Sequence, residues 1–175
     1  PDHYKAYINR GAAYQAKGQY YEAIADYSKA IALDPKQAEA YYNRGYCYSK
    51  QDDYDLAIRD YTKTLDIEPG HQQALVQRGI SHFIKGRYEE AIHDYTKALQ
   101  MNPKDDTIYY NRGIAYEKKG LRETAMADYM KVIELNPESS EAHFNLGNAY
   151  FERTEYDDAI TSYTKALAIN SQYAD

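Results

Sequence analysis

Glycine returns at a fixed interval of 34 residues, at Gly11, Gly45, Gly79, Gly113 and Gly147, and Pro35, Pro69, Pro103 and Pro137 keep the same interval. A period of this length running through a chain means one supersecondary unit copied in tandem, each copy unable to bury its apolar face alone and stacked on its neighbours. In register, residues 1–175 read as one array of five units, Tyr4–Gln37, Ala38–His71, Gln72–Asp105, Asp106–Ser139 and Ser140–Tyr173, with no insertion between them. Positions within a unit are numbered 1 to 34 below.

Each unit contains two amphipathic stretches separated by a short polar turn. In the first stretch small or apolar residues recur at positions 4, 8 and 11, as in Tyr7, Gly11 and Tyr14. In the second they recur at positions 20, 24, 27 and 30, as in Ala23, Tyr27, Ala30 and Leu33, or Ala159, Tyr163, Ala166 and Ile169. Both spacings place the residues on one face of a helix, so each unit is expected to be a helical hairpin. Gly18, Gly86 and Gly120 at position 15, with Asp52 and Thr154 in the other units, are suited to a left-handed cap on the first helix. The proline at position 32 stops the second helix, because it has no N–H to donate and disfavours helical backbone in the residue before it.

Glycine at position 8, alanine at position 20 and tyrosine at position 24 occur in every unit, the tyrosines being Tyr27, Tyr61, Tyr95, Tyr129 and Tyr163. With the proline they form a pattern that resembles the tetratricopeptide repeat (TPR) family, aromatic-x2-L-G-x2-Y followed by A-x3-F/Y, then A and P. The resemblance implies an all-α, right-handed α-α superhelix of five hairpins, with the two helices of a hairpin crossing at positions 8 and 20. The tyrosine ladder, which contributes to a total of 22 tyrosines and no tryptophan, is expected to pack in the core with each hydroxyl reaching a polar partner.

One departure from the family explains itself. Position 7, usually leucine, is Arg10, Arg44, Arg78 and Arg112, and the same units carry Asp26, Asp60, Asp94 and Asp128 at position 23. The unit with Leu146 at position 7 has Ser162 at position 23. Arginine and aspartate come and go together, so they are expected to form a fork-to-carboxylate pair, within one hairpin or with its neighbour. Lysine at position 26 in every unit suits the C-terminal end of the second helix and a wet outer face.

By the same resemblance, the first helices line a concave wall with positions 2, 5, 6, 9, 12 and 13. Position 6 is an amide throughout: Asn9, Asn43, Gln77, Asn111 and Asn145. Amides donate and accept, so such a row can satisfy the backbone of an extended peptide, or can tie adjacent hairpins together. The ladder is similar to the asparagine-lined groove in the repeat domain of O-linked N-acetylglucosamine transferase, and the units are of an asparagine-arginine-glycine type. Beside it lie Tyr42, Tyr46, Val76, Ile80, Phe83, Ile84, Tyr110, Ile114, Phe144 and Phe151, an apolar strip expected to mark an interface with its strongest contact near Phe83. The carboxylate clamp used by some family members is not met, because its places in the first window hold Ile8, Ala12, Asn43, Gln73 and Gln77. Binding of acidic C-terminal chaperone tails is therefore not expected.

Composition narrows the partner. A formal charge of −6 argues against nucleic acid, which requires clustered cations. Cys47 is the lone cysteine, so no internal disulfide and no thiolate zinc site can form, and a cytoplasmic location is expected. No apolar run is long enough for a membrane span. His3, His71, His82, His93 and His143 fall at unrelated repeat positions, His82 and His143 standing where other units have core tyrosines. No P-loop, dinucleotide fingerprint or HExxH occurs, and neither a cofactor nor catalysis is expected.

The expected function is a scaffold that binds an extended peptide, with a substrate-recruiting arm of a larger enzyme or a self-assembly module as alternatives. The chain starts at Pro1 without methionine, and Ser171 replaces the last proline before Asp175, so it is expected to be a piece of a longer protein. With no polar capping helix after the last unit, end-to-end association or a dimer through that unit, or a cap supplied by the parent protein, is expected.

Overall fold

A computed structural model describes residues 3–171, which form ten helices and no strand. The helices are α1 (His3–Ala16), α2 (Tyr20–Leu33), α3 (Ala38–Ser49), α4 (Tyr54–Ile67), α5 (Gln72–Ile84), α6 (Tyr88–Met101), α7 (Asp106–Lys118), α8 (Arg122–Leu135), α9 (Ser140–Glu152) and α10 (Tyr156–Ser171). They pair into the five hairpins read from the period. Two compact units are distinguishable, residues 1–94 and residues 95–175. The first holds α1 to α5 and the start of α6; the second holds the rest of α6 and α7 to α10.

The turn inside each hairpin is built from backbone. The N–H of position 16 reaches back to the carbonyl of position 11 at 2.9–3.0 Å in all five, a Schellman closure that leaves position 15 left-handed. Gly18, Gly86 and Gly120 take this conformation at φ 73–77°, Asp52 at 62° and Thr154 at 63°. Threonine is the poorest of these choices, because its branched Cβ crowds the carbonyl at positive φ. Thr154→Gly is expected to stabilise the fold by about 0.5–1 kcal/mol, read as a higher urea midpoint. The last three hairpin-to-hairpin connections are capped by side chains at position 34: His71 Nδ1 accepts from the Ala74 N–H at 3.2 Å, Asp105 from Ile108 at 3.2 Å and Ser139 from Ala142 at 3.3 Å.

The tyrosine at repeat position 24 packs inside each hairpin. Tyr27, Tyr61, Tyr95 and Tyr129 are buried. Tyr27 donates to Gln15 Oε1 at 3.0 Å, Tyr129 to Glu117 Oε2 at 2.7 Å and Tyr163 to Asn148 Oδ1 at 2.8 Å, whereas the buried Tyr61 hydroxyl, contrary to expectation, has no hydrogen-bond partner among the described residues. The structure also shows what the glycine at position 8 accommodates. A Cβ there would stand 2.8 Å from the Tyr27 ring at Gly11, 3.0 Å from Tyr61 at Gly45, 2.8 Å from Tyr129 at Gly113 and 2.7 Å from Tyr163 at Gly147. Glycine and tyrosine therefore form one packing device, the missing side chain of one helix leaving room for the ring of the other.

The arginine–aspartate pairs form within hairpins. Each guanidinium grips its carboxylate through Nε and Nη2, at 2.6 and 2.7 Å for Arg10–Asp26, 2.7 and 2.8 Å for Arg44–Asp60, 2.7 and 2.7 Å for Arg78–Asp94, and 2.8 and 2.8 Å for Arg112–Asp128. Arg10 holds the Asp26 carboxyl below its usual pKa through this hydrogen-bonded contact. The third nitrogen does something the sequence reading missed. Nη1 of Arg44 donates to Ser28 at 2.9 Å, that of Arg78 to Thr62 at 3.1 Å and that of Arg112 to Thr96 at 3.1 Å, each time to position 25 of the preceding hairpin. One arginine thus locks its own hairpin and staples it to the one before. Where position 25 becomes Met130, the following position 7 is Leu146 and its position 23 is Ser162, an uncharged set in place of the ion pair and its hydroxyl partner. Tyrosines at positions 4 and 11 flank the guanidinium, with Arg44 5.7 Å from the Tyr41 ring and 5.9 Å from Tyr48, and Arg112 5.5 Å from Tyr109 and 5.7 Å from Tyr116.

Candidate peptide-binding surface

The wall residues follow from this frame, since position 6 precedes the anchored arginine and position 5 lies one residue further back on each first helix. In residues 1–94, Asn43 and Gln77 are half-buried and Asn9 is exposed. In residues 95–175, Asn111 and Asn145 are half-buried. Asn145 is tied to the preceding hairpin, its Nδ2 donating to the Tyr110 hydroxyl at 3.3 Å. The side-chain amides of Asn43, Gln77 and Asn111 are not engaged with another side chain among the described residues.

The aromatic residues at position 5 rest on the tyrosine ladder beneath them. Tyr42 lies 5.8 Å from Tyr61 and stacks on His71 at 4.8 Å; Tyr110 lies 6.1 Å from Tyr129 and Phe144 lies 5.9 Å from Tyr163. Burial pushes the Tyr42 and Tyr110 hydroxyls above the usual tyrosine pKa, so both stay neutral hydrogen-bonding groups at physiological pH. Tyr46 carries Lys50 over its ring at 5.2 Å. Val76 and Ile80 are half-buried on α5. Ile114 packs with Tyr110 against the buried group of Ala125, Met126, Tyr129 and Leu146.

Exposure along the apolar strip varies from residue to residue. Phe83 is half-buried and leans on Tyr88 across its own turn at 5.4 Å, leaving Ile84, 50% exposed, as the open apolar residue there. Phe144 and Phe151 are 52% and 56% exposed. A concave cleft of about 720 Å³ adjoins Phe144, lined also by Tyr110, Glu141, Asn145, Tyr163, Ala166, Leu167 and Asn170. Tyr163 and the α10 residues were not among the wall residues read from sequence, whereas Glu141 stands at wall position 2 and gives the cleft an acidic edge.

The remaining reactive side chains are packing residues. Cys47 is buried with its thiol pKa pushed up to about 12 by desolvation, too high for a thiolate nucleophile. His143 Nε2 lies 3.1 Å from the Pro137 carbonyl. His82 Nδ1 is buried without a hydrogen-bond partner among the described residues, and burial lowers its pKa, favouring the neutral ring. No helix among the described residues is long and apolar enough to cross a membrane.

Two profiles of the repeat match in the register given by the glycines: the TPR repeat profile over residues 11–52 and 79–120, and the tetratricopeptide repeat profile over residues 38–71, 107–139 and 140–173. The chain belongs to the tetratricopeptide repeat family. No curated protein sequence matches it. Among solved structures, it is similar to a crystal structure of MamA, with 26% identity, a TM-score of 0.91 and coverage of 94% of this chain and 96% of that one. MamA from Desulfovibrio magneticus RS-1 superposes with a TM-score of 0.93 at 23% identity, covering 98% and 97% of the two chains. YrrB, a TPR protein described as having an unusual peptide-binding site, gives a TM-score of 0.85 at 24% identity, covering 93% of this chain and 84% of its own. The fold is thus that of an all-α TPR solenoid, and a TPR chain of this kind is a protein-interaction scaffold.

Proposed function

We propose that this TPR chain binds an extended polypeptide segment along the first-helix wall, the amides taking the peptide backbone and the neighbouring apolar residues taking its side chains. The observation that carries this reading is that the half-buried amides of Asn43, Gln77 and Asn111 keep donors and acceptors unspent beside apolar groups. A half-buried amide gains most from a partner that replaces the water it has already partly lost. Selection is by apolar or aromatic side chains, with Ile84 and Phe144 as open contact points, and the acidic Glu141 favours a partner without acidic residues beside its anchor. The net charge of −6 disfavours nucleic acid as the ligand. The likeness to YrrB supports the fold on which such binding rests. The chain itself performs no catalysis in this reading.

The test is titration of a library of fluorescent extended peptides against the wild type, Asn111→Ala and Phe144→Ala. Each substitution is expected to weaken the best binder about tenfold, equivalent to one lost hydrogen bond or one truncated apolar contact. Equal affinity of all three proteins for every bound peptide would overturn the wall as the binding surface.

A further inference from the structure

The two ends of the described array carry complementary halves of the contact that joins successive hairpins inside it. Within the chain, residues at positions 21 and 28 of a second helix are covered by positions 3 and 10 of the next first helix. Ile24 and Ile31 pack into the cluster containing Ala40 and Cys47, and Met126 and Ile133 belong to the group that includes Ala149 at position 10. On α10 the matching Ile160 and Leu167 are 62% and 70% exposed, whereas Met126 is only 5% exposed. On α1, Ala6 and Ala13 are exposed, whereas Ala40, Cys47, Ala74 and Ala115 are fully buried.

The polar staple is split in the same way. Arg10 uses Nε and Nη2 on Asp26 and its side chain is 56% exposed, against 16–17% for Arg44, Arg78 and Arg112, whose Nη1 atoms reach the preceding hairpin. Thr164 stands at position 25 of α10, its hydroxyl donating to the Ile160 carbonyl at 2.7 Å. Thr62 makes the same bond to Ile58 at 2.8 Å while accepting from Arg78. Thr164 therefore offers the acceptor that Arg10 lacks, and apolar and polar halves match at once.

We infer that the α10 face of one copy docks the α1 face of a second copy, with Ile160 and Leu167 covered by Ala6 and Ala13 and with Arg10 donating to Thr164. Because the two surfaces differ, the contact is heterologous and does not close at a dimer; each added copy presents a fresh α10 face.

Sedimentation of the 175-residue chain over a wide dilution series tests this. The weight-average mass is expected to climb with concentration past that of a dimer. Ala13→Glu, which blocks the α1 face, and Leu167→Glu, which blocks the α10 face, alter exposed positions and are each expected to stay monomeric with unchanged helicity. Mixing the two restores one good contact and is expected to give a one-to-one dimer and nothing larger. Thr164→Val keeps the shape, removes the acceptor and is expected to weaken association about tenfold. A wild type that remains monomeric throughout, or association that survives both glutamate variants, overturns the inference.

Discussion

Asp60→Ala is expected to destabilise the protein by about 3–5 kcal/mol, far more than loss of a surface ion pair. The Asp60 side chain is 3% exposed and that of Arg44 is 17% exposed, so alanine leaves a largely desolvated guanidinium with its two carboxylate bonds gone. The remaining bond to Ser28 and the flanking Tyr41 and Tyr48 rings do not neutralise the charge. The protein supplies its own control. Met130, Leu146 and Ser162 occupy the equivalent three places further along the chain, with Leu146 buried at 6% exposure. The triple change Ser28→Met, Arg44→Leu, Asp60→Ser transplants that set and is expected to lie within about 2 kcal/mol of wild type, because it removes both charges together. Urea denaturation of the single and triple variants separates the two effects. A single variant within about 1 kcal/mol of wild type would mean that the pair behaves as if exposed.

This triad also marks how far the sequence could be read. The pairing of positions 7 and 23 was legible because both change in the same unit, at Leu146 and Ser162. The third partner was not, because its change falls one repeat earlier, at Met130, and shows only when the register is shifted by a unit. The period, the left-handed caps and the core tyrosines were legible because each repeats the same backbone requirement. The wall was legible as a set of positions but not as a set of contacts. Whether an amide reaches a neighbouring hairpin, as Asn145 reaches Tyr110, or a ring folds back on its own turn, as Phe83 does on Tyr88, depends on rotamers that a repeat pattern does not encode.

Tyr129→Ala is expected to cost about 3–5 kcal/mol, the usual range for emptying a buried aromatic site. The ring is 1% exposed and fills the space that Gly113 leaves open on the facing helix. Tyr129→Phe should cost only about 1 kcal/mol, because the abandoned acceptor, Glu117, is exposed and water replaces the hydroxyl. Gly113→Ala probes the same contact from the other side. At an open helical site this change gains about 1 kcal/mol of helix propensity. Here the new Cβ would sit 2.8 Å from Cε1 and 3.1 Å from Cδ1 of a ring held by its bond to Glu117, and overpacking of about 1–3 kcal/mol should outweigh that gain. The net sign is the diagnostic: an alanine that raises the melting temperature would show that the ring can retreat freely. If Gly113→Ala is instead destabilising in wild type and neutral or stabilising in the Tyr129→Ala background, the energetic coupling identifies Gly113 and Tyr129 as one packing unit.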